Sequence, residues 1–212
     1  MYNNFQIIPP AIGAGESNRL FAWGHNGSGQ LGDGTTTTRL APTLIGADTW
    51  HLITAGNTHS LGLRADGRLF AWGWNLNGQL GDGTTTQRLT PTLIGTDTWR
   101  GIAGGRDHSL GLRADGRLFA WGANANGQLG DGTTIDRHAP TLIGTDTWQE
   151  IYAGIAHSLG IRADGRLFAW GANVNGQLGD GTTTDRHTPT LIGTDTWRRI
   201  AGGREYSLGI KF

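Results

Sequence analysis

The 212-residue sequence contains no cysteine. That excludes disulfides, thiolate metal sites and a cysteine nucleophile. It fits a reducing compartment, and the cytoplasm is the expected location. No charge predominates either, because 17 Lys and Arg balance 17 Asp and Glu. Nucleic-acid binders usually carry a basic face, so no nucleic-acid partner is expected. No apolar run approaches the roughly 20 residues needed to cross a bilayer. The first residues, Met1 to Gln6, lack the basic-then-apolar order of a secretory leader. No membrane partner is therefore expected. Glutamate is scarce: Glu16, Glu150 and Glu205 are the only ones. Glycan hydrolysis would need a non-repeating pair of carboxylates in one cleft. The acids here mostly recur at fixed spacing. No catalytic residue, metal site or cofactor is expected.

What the chain does have is repetition. Trp23, Trp72, Trp121 and Trp170 are 49 residues apart, as are Trp50, Trp99, Trp148 and Trp197. The segment Arg-Leu-Phe-Ala-Trp-Gly at Arg68–Gly73 recurs at Arg117–Gly122 and Arg166–Gly171. Gly-Gln-Leu-Gly-Asp-Gly-Thr-Thr at Gly78–Thr85 recurs at Gly127–Thr134 and Gly176–Thr183. A fixed period of about 20 to 50 residues marks solenoids, propellers and arrays. One such unit cannot bury its own apolar face, so the units must pack on one another. The 37 glycines, far above the usual ~7%, sit at fixed phases. That argues for tight turns, not disorder.

One period, Trp99 to Thr147, reads as four short strands. Trp99–Gly104 is the first. His108–Arg113 alternates and forms the second. Asp115-Gly116 is a hairpin signal, because glycine accepts positive φ at no steric cost. Arg117–Trp121 returns as the third strand. A Gly/Asn/Thr loop follows, and then Pro140–Ile143, whose proline suits an edge. Gly144–Thr147 is expected to turn into the next Trp. Four antiparallel strands per period, with no helical periodicity, is the propeller-blade pattern.

This order of motifs resembles the regulator of chromosome condensation family. The residues that carry the resemblance are Trp72-Gly73, Asn75, Gly78–Gly81, Pro91, Ile102-Ala103, Gly105, His108-Ser109 and Asp115-Gly116. It extends over about residues 19 to 210, four times over. The resemblance implies a β-propeller, usually of seven blades. In the family, nucleotide exchange on a small GTPase comes with a projecting insertion and a basic tail. This sequence shows neither, so exchange is the alternative reading. A photoreceptor of the same fold places Trp inside the Gly-x-x-His turn, where this chain has Asn57, Arg106, Ile155 and Arg204. That chromophore site is not implied. An inhibitor of β-lactamases in the family serves as a plain protein-binding surface.

The expected fold class is all-β, a propeller of four-stranded antiparallel blades built from four repeats. Residues 1–18 form an N-terminal extension and 19–212 the propeller repeats. A half-blade spans 19–45, whole blades span 50–94, 99–143 and 148–192, and a second half-blade spans 197–212. The two halves are complementary. Left apart, each would expose an apolar edge. The closing strands carry Leu20, Phe21, Ala22, Trp23, Leu44 and Ile45 at one end. Trp197, Ile200, Ser207, Leu208 and Ile210 stand at the other. Two chains meeting head to tail would make an eight-bladed ring, and two-fold closed assemblies are common. Self-closure as four blades, a piece of a longer array, or another closed oligomer are the alternatives.

The recurring polar residues read as scaffold. His59, His108 and His157, with Tyr206 in the fourth place, suit a turn in which a ring nitrogen ties down backbone. Asp33, Asp82, Asp131 and Asp180 suit turns that bond nearby N–H groups. Arg39, Arg88, Arg137 and Arg186 suit bonds to a neighbouring blade. The repeated tryptophans suit the space between blades. Trp74 is different, since its phase-mates are His25, Ala123 and Ala172. Trp74, His25, Asn57, Arg106, Ile155 and Arg204 are the candidate partner surface. The expected function is a non-enzymatic scaffold for protein–protein interaction. It would self-assemble, with a further unidentified protein as possible partner, from recently amplified or designed repeats.

Overall fold

A computed structural model of the chain describes residues 18–212, and the structural statements below concern those residues. The expected N-terminal extension, all but its last residue, lies outside them. Twelve strands follow in order: β1 (Arg19–Gly24), β2 (Arg39–Ala55), β3 (His59–Arg64), β4 (Arg68–Gly73), β5 (Arg88–Gly104), β6 (His108–Arg113), β7 (Arg117–Gly122), β8 (Arg137–Ala153), β9 (His157–Arg162), β10 (Arg166–Gly171), β11 (Arg186–Gly202) and β12 (Ser207–Lys211). Each pairs antiparallel with the next in sequence. No helix among the described residues is long and apolar enough to cross a membrane.

The repeat thus contributes three strands where four were expected, for a clear reason. The expected fourth strand and the next repeat's first strand are one continuous strand. In β5 the first half pairs backward, with Phe70 opposite Leu93 and Ala71 opposite Thr92. The second half pairs forward, with Ile102 opposite Gly111 and Ala103 opposite Leu110. The segment Gly144–Thr147, expected to turn, is extended within β8. Its far end is held in register: Arg117 stands opposite Thr147, and the N–H of the next residue, Trp148, donates to Gly116 O at 2.8 Å. Gly144 supplies the bend with a φ of +62°, which only glycine adopts freely.

Each four-strand unit stacks its face on the next. Leu61, Leu63, Leu69, Ala71, Leu80 and Ile94 of one unit form a single buried cluster with Trp99, Ile102, Phe119 and Trp121 of the following one. The same arrangement recurs one repeat later. Full burial of a side chain of this size contributes roughly 1.5–3 kcal/mol. Trp99 meets Phe119 edge-on at 5.3 Å, as Trp50 meets Phe70 at 5.5 Å and Trp148 meets Phe168 at 5.5 Å. The architecture is all-β and propeller-like, with four repeats stacked in chain order.

The long loop after each Trp-Gly is organised around one buried asparagine. Asn124 donates through Nδ2 to Asp131 Oδ1 at 3.1 Å and to the Thr133 and Ile135 carbonyls at 3.0 and 3.1 Å. Its Oδ1 accepts Leu129 N–H at 3.0 Å. Asp131 also accepts Thr133 N–H and its hydroxyl, and Arg137 Nε at 2.7 Å. The recurring arginine therefore bonds an aspartate of its own loop, not a neighbouring blade as expected from sequence. The spacing of six residues, bridged by a compact turn, lets the guanidinium fold back.

This loop generates a prediction. Asn124→Ala leaves buried carbonyls and an N–H unpaired and is expected to cost about 3 kcal/mol or more. Asn124→Asp keeps the shape but sets a carboxylate against Asp131 and two carbonyls. It is expected to destabilise at least as much at pH 7. Urea unfolding of both variants measures this, and a near-neutral Asn124→Asp would refute the donor role.

Candidate functional site

The recurring Trp and Ser converge on one atom. Trp72 Nε1, Trp121 Nε1 and Trp170 Nε1 donate to the carbonyls of Gln30, Gln79 and Gln128, each at 2.9 Å. Ser60, Ser109 and Ser158 donate to the same three carbonyls, each at 2.8 Å. The glutamine loop of one repeat is thus held by two donors from the next. A Cβ on Gly32, Gly81 or Gly130 would stand 2.8 Å from the matching indole nitrogen. The indole reaches its carbonyl only because those residues lack one.

The histidines continue this network. His59 Nε2 lies 2.9 Å from Ser109 Oγ, His108 Nε2 3.0 Å from Ser158 Oγ, and His157 Nε2 3.3 Å from Ser207 Oγ. Each serine spends its proton on a glutamine carbonyl, so it accepts from the imidazole, which must carry its proton on Nε2. The ring ties to a side chain of the next repeat and not to backbone, which corrects the sequence expectation. Nδ1 of His59 and His108 is buried without a partner. Burial pushes His59 down to about 4, slightly opposed by Asp107, and His157 down to about 4. Burial, followed by the charges of His157, His59 and Arg106, pushes His108 down to about 3. For Asp33 and Asp180 burial pushes the carboxyl up. Hydrogen bonds from the neighbouring threonine, arginine and asparagine outweigh it and hold both at about 2.

The candidate partner residues divide into two places. Asn57, Arg106, Ile155 and Arg204 lie on the four Gly-x-x-His/Tyr turns and line one opening of about 200 Å³, with Tyr152 beside them. Arg106 is paired with Asp107 at 2.6 Å and Arg204 with Glu205 at 3.2 Å, so the opening carries compensated charge. Trp74 is partly exposed, and its backbone N–H donates to Thr58 O at 2.8 Å. His25 sits in the first repeat's loop, 3.0 Å from Gln30 Nε2. No group of three or more potential metal ligands occurs among the described residues.

Some exposed residues escaped the sequence reading. Leu76, Ile135 and Val174 are exposed apolar side chains on the loops. Asn77 Nδ2 donates to Asp136 at 3.1 Å, which brings the Leu76 and Ile135 loops together. Their signal was there as variable phases: Leu76 and Val174 align with Gly27 and Ala125, and Ile135 with Thr37, Thr86 and Thr184.

The expected closing residues also divide. Leu20, Ile45 and Ile200 are buried within the chain. Leu44 is exposed, but so are its phase-mates Leu93, Leu142 and Leu191, so it marks an outer strand and not an end. Trp23 is 59% exposed against 3%, 0% and 0% for Trp72, Trp121 and Trp170. Leu208 and Ile210 are 60% and 61% exposed, where Leu61 and Leu63 are 0% and 1%. Phe21 is exposed, whereas Phe70, Phe119 and Phe168 are buried. Ala22 and Trp197 pack partly against the core, and Ser207 Oγ bonds Gln177 O at 2.6 Å.

The depressed histidines give a pH prediction. Their folded values lie below the ordinary 6.5. The stability they contribute is full above pH 6.5 and is lost as pH falls toward 4, at up to about 1.4 kcal/mol per histidine per pH unit. Asp33 and Asp180 act later, between about pH 3.8 and 2. The urea midpoint is expected to fall between pH 7 and 4.5, and less steeply in His108→Gln. Parallel losses in the two proteins would exclude the histidine origin.

Comparison with known proteins places these features. The regulator of chromosome condensation (RCC1) repeat model matches residues 17–63, 66–112, 115–161 and 164–210. A second model of the same repeat matches 50–79, 99–128 and 148–177. No curated protein sequence matches the chain. Among solved structures it is similar to yeast RCC1 (Prp20) bound to Kap60, with a TM-score of 0.81 and 24% identity over 92% of this chain and 50% of that one. It is likewise similar to Prp20p of Saccharomyces cerevisiae, at 0.82 and 24% over 92% and 52%. Human WBSCR16 gives 0.57 and 21% over 91% and 67%. The chain spans about half the length of the two yeast chains it matches. With four matched repeats covering most of its length, the chain belongs to the regulator of chromosome condensation (RCC1) repeat family.

Proposed function

We propose that this chain is a non-enzymatic scaffold for protein–protein interaction. Two copies meet head to tail through their terminal half-blades and form an eight-bladed ring. The observation that carries this reading is the pair of open apolar edges at β1 and β12. In the β3–β4 hairpin Ser60 stands opposite Trp72, Leu61 opposite Ala71 and Leu63 opposite Leu69. The same register sets Ser207 opposite Trp23, Leu208 opposite Ala22 and Ile210 opposite Leu20 of another copy. Unpaired apolar edges of this kind are templates for strand addition.

The scaffold role draws support from where the sequence varies. Trp74, His25, Asn57, Arg106, Ile155 and Arg204 sit at changing phases, as do the exposed Leu76, Ile135 and Val174. Exposed apolar side chains gathered on one set of loops suit contact with a protein. The related structures concern protein partners: Kap60 for one, Gsp1p and histones for the other. Regulation of a GTPase remains the alternative, with no feature of this chain's own to favour it. The near-identity of the repeats supports recent amplification or design.

The native mass tests assembly. Light scattering across a dilution series is expected to give about 45 kDa, twice the 22.6 kDa chain. A mass of one chain at every concentration would refute the two-copy ring.

A further inference from the structure

The seam between neighbouring repeats is built three times inside the chain. In each, an indole and a serine of one repeat donate to a glutamine carbonyl of the repeat before. A second contact accompanies them. Gly34, Gly83 and Gly132 N–H donate to the carbonyls of Leu89, His138 and His187, each at 2.9 Å. The Cα atoms of those three residues lie 3.2, 2.6 and 2.7 Å from where a Cβ would stand on Gly29, Gly78 and Gly127.

The fourth set of these parts is split between the two ends. Gln177 O accepts from Ser207, and no indole reaches it. Gly176 has nothing nearer to its Cβ position than Thr182 O at 4.0 Å. At the other end stand the two missing pieces. Trp23 is the exposed indole, and Leu40, the phase-mate of Leu89 and His138, is 96% exposed.

We propose that two copies lock through this split seam: the Trp23 indole N–H of one copy donates to the Gln177 carbonyl of the other, and Leu40 packs on its Gly176. The proposal rests on the two-copy reading above. It adds that these side-chain anchors, and not the bare strand edges, decide which ends join.

The inner strands favour a second copy as the occupant. Thr54 Oγ1 accepts Gly104 N–H at 3.3 Å, and Tyr152 Oη donates to Gly202 O at 2.7 Å. A Cβ on Gly202 would stand 2.8 Å from the Tyr152 ring. So the larger side chains of repeats one and three face glycine in the repeat that follows. Repeat two offers Ala103, and its successor Ala153. The open end offers Ala201, and its successor must supply the next residue in this alternation. A copy of the same chain supplies Ala55, which continues it without a clash.

The dissociation constant of the 212-residue chain, measured by dilution, tests the proposal. Trp23→Phe keeps the ring and removes the donor, and is expected to weaken association at least about tenfold. Leu40→Asp, a change at a residue that touches little in its own chain, is expected to abolish it. Leu40→His copies the internal seams and is expected to retain it. Trp72→Phe makes the same deletion at an internal seam. It should lower the thermal midpoint and leave the dissociation constant within about twofold, since its carbonyl partner is in the same chain. Trp23 emission should shift to the blue on association. A wild-type dimer whose affinity is unmoved by Trp23→Phe and Leu40→Asp would overturn the anchor while leaving the two-copy reading intact. A wild-type protein of one-chain mass at all concentrations would overturn both.

Discussion

The glutamine carbonyl at the tip of each loop is the point on which the structure depends. A buried asparagine pins that loop from within, and the glutamine's own side chain accepts the N–H two residues before it, as in Gln79 with Asn77 at 3.0 Å. The carbonyl is then fixed in space before the next repeat arrives. At Gln30, Gln79 and Gln128 its two lone pairs are taken by a serine hydroxyl and an indole, and Ser109 and Ser158 in turn hold the imidazole of the repeat before. Most of the phase-locked polar residues serve this one geometry. They recur because a repeat must be both a good acceptor for its successor and a good donor to its predecessor.

Such a scaffold leaves function to the positions that geometry does not require. The charges at the turn opening are compensated in neighbouring pairs, and the buried ionisable groups are held in one protonation state near neutral pH. What varies from repeat to repeat is the shape and polarity of turns and loops: asparagine, arginine and isoleucine at one phase, glycine, leucine, alanine and valine at another. Those are the properties by which one protein surface is told from another.

Much of this was legible in the sequence. The period fixed the number of repeats, and Asp-Gly between apolar runs located the hairpins. The alternation of Leu and Ala against Phe and Trp placed the strand faces. The continuous strand was not legible, because Gly-Thr-Asp-Thr has the composition of a turn. The pairing of Thr147 with Arg117 across the sheet, and the backbone bonds beside it, hold it extended. The partners of the recurring arginine and histidine were misjudged for a related reason. Spacing along the chain does not say whether a side chain reaches within its loop or across to the next repeat. The role proposed for Leu40 could have been suspected from its phase alone, yet only the open glycine at the opposite end suggests a partner for it.

The long shared strands also bear on how the molecule comes apart. In β2, β5, β8 and β11 a single backbone belongs to two sheets, so melting one sheet withdraws a wall of its neighbour. Repeat arrays joined by short flexible links can lose units one by one. Here the coupling runs through the main chain itself, in addition to the packed faces. In a single chain apart from its partner, unfolding should therefore spread inward from β1 and β12, which then have one neighbour each, and pass through the interior as a single cooperative event. Amide protons of the middle repeats would exchange together at the global rate, and the outermost strands would set the kinetic lifetime of the whole.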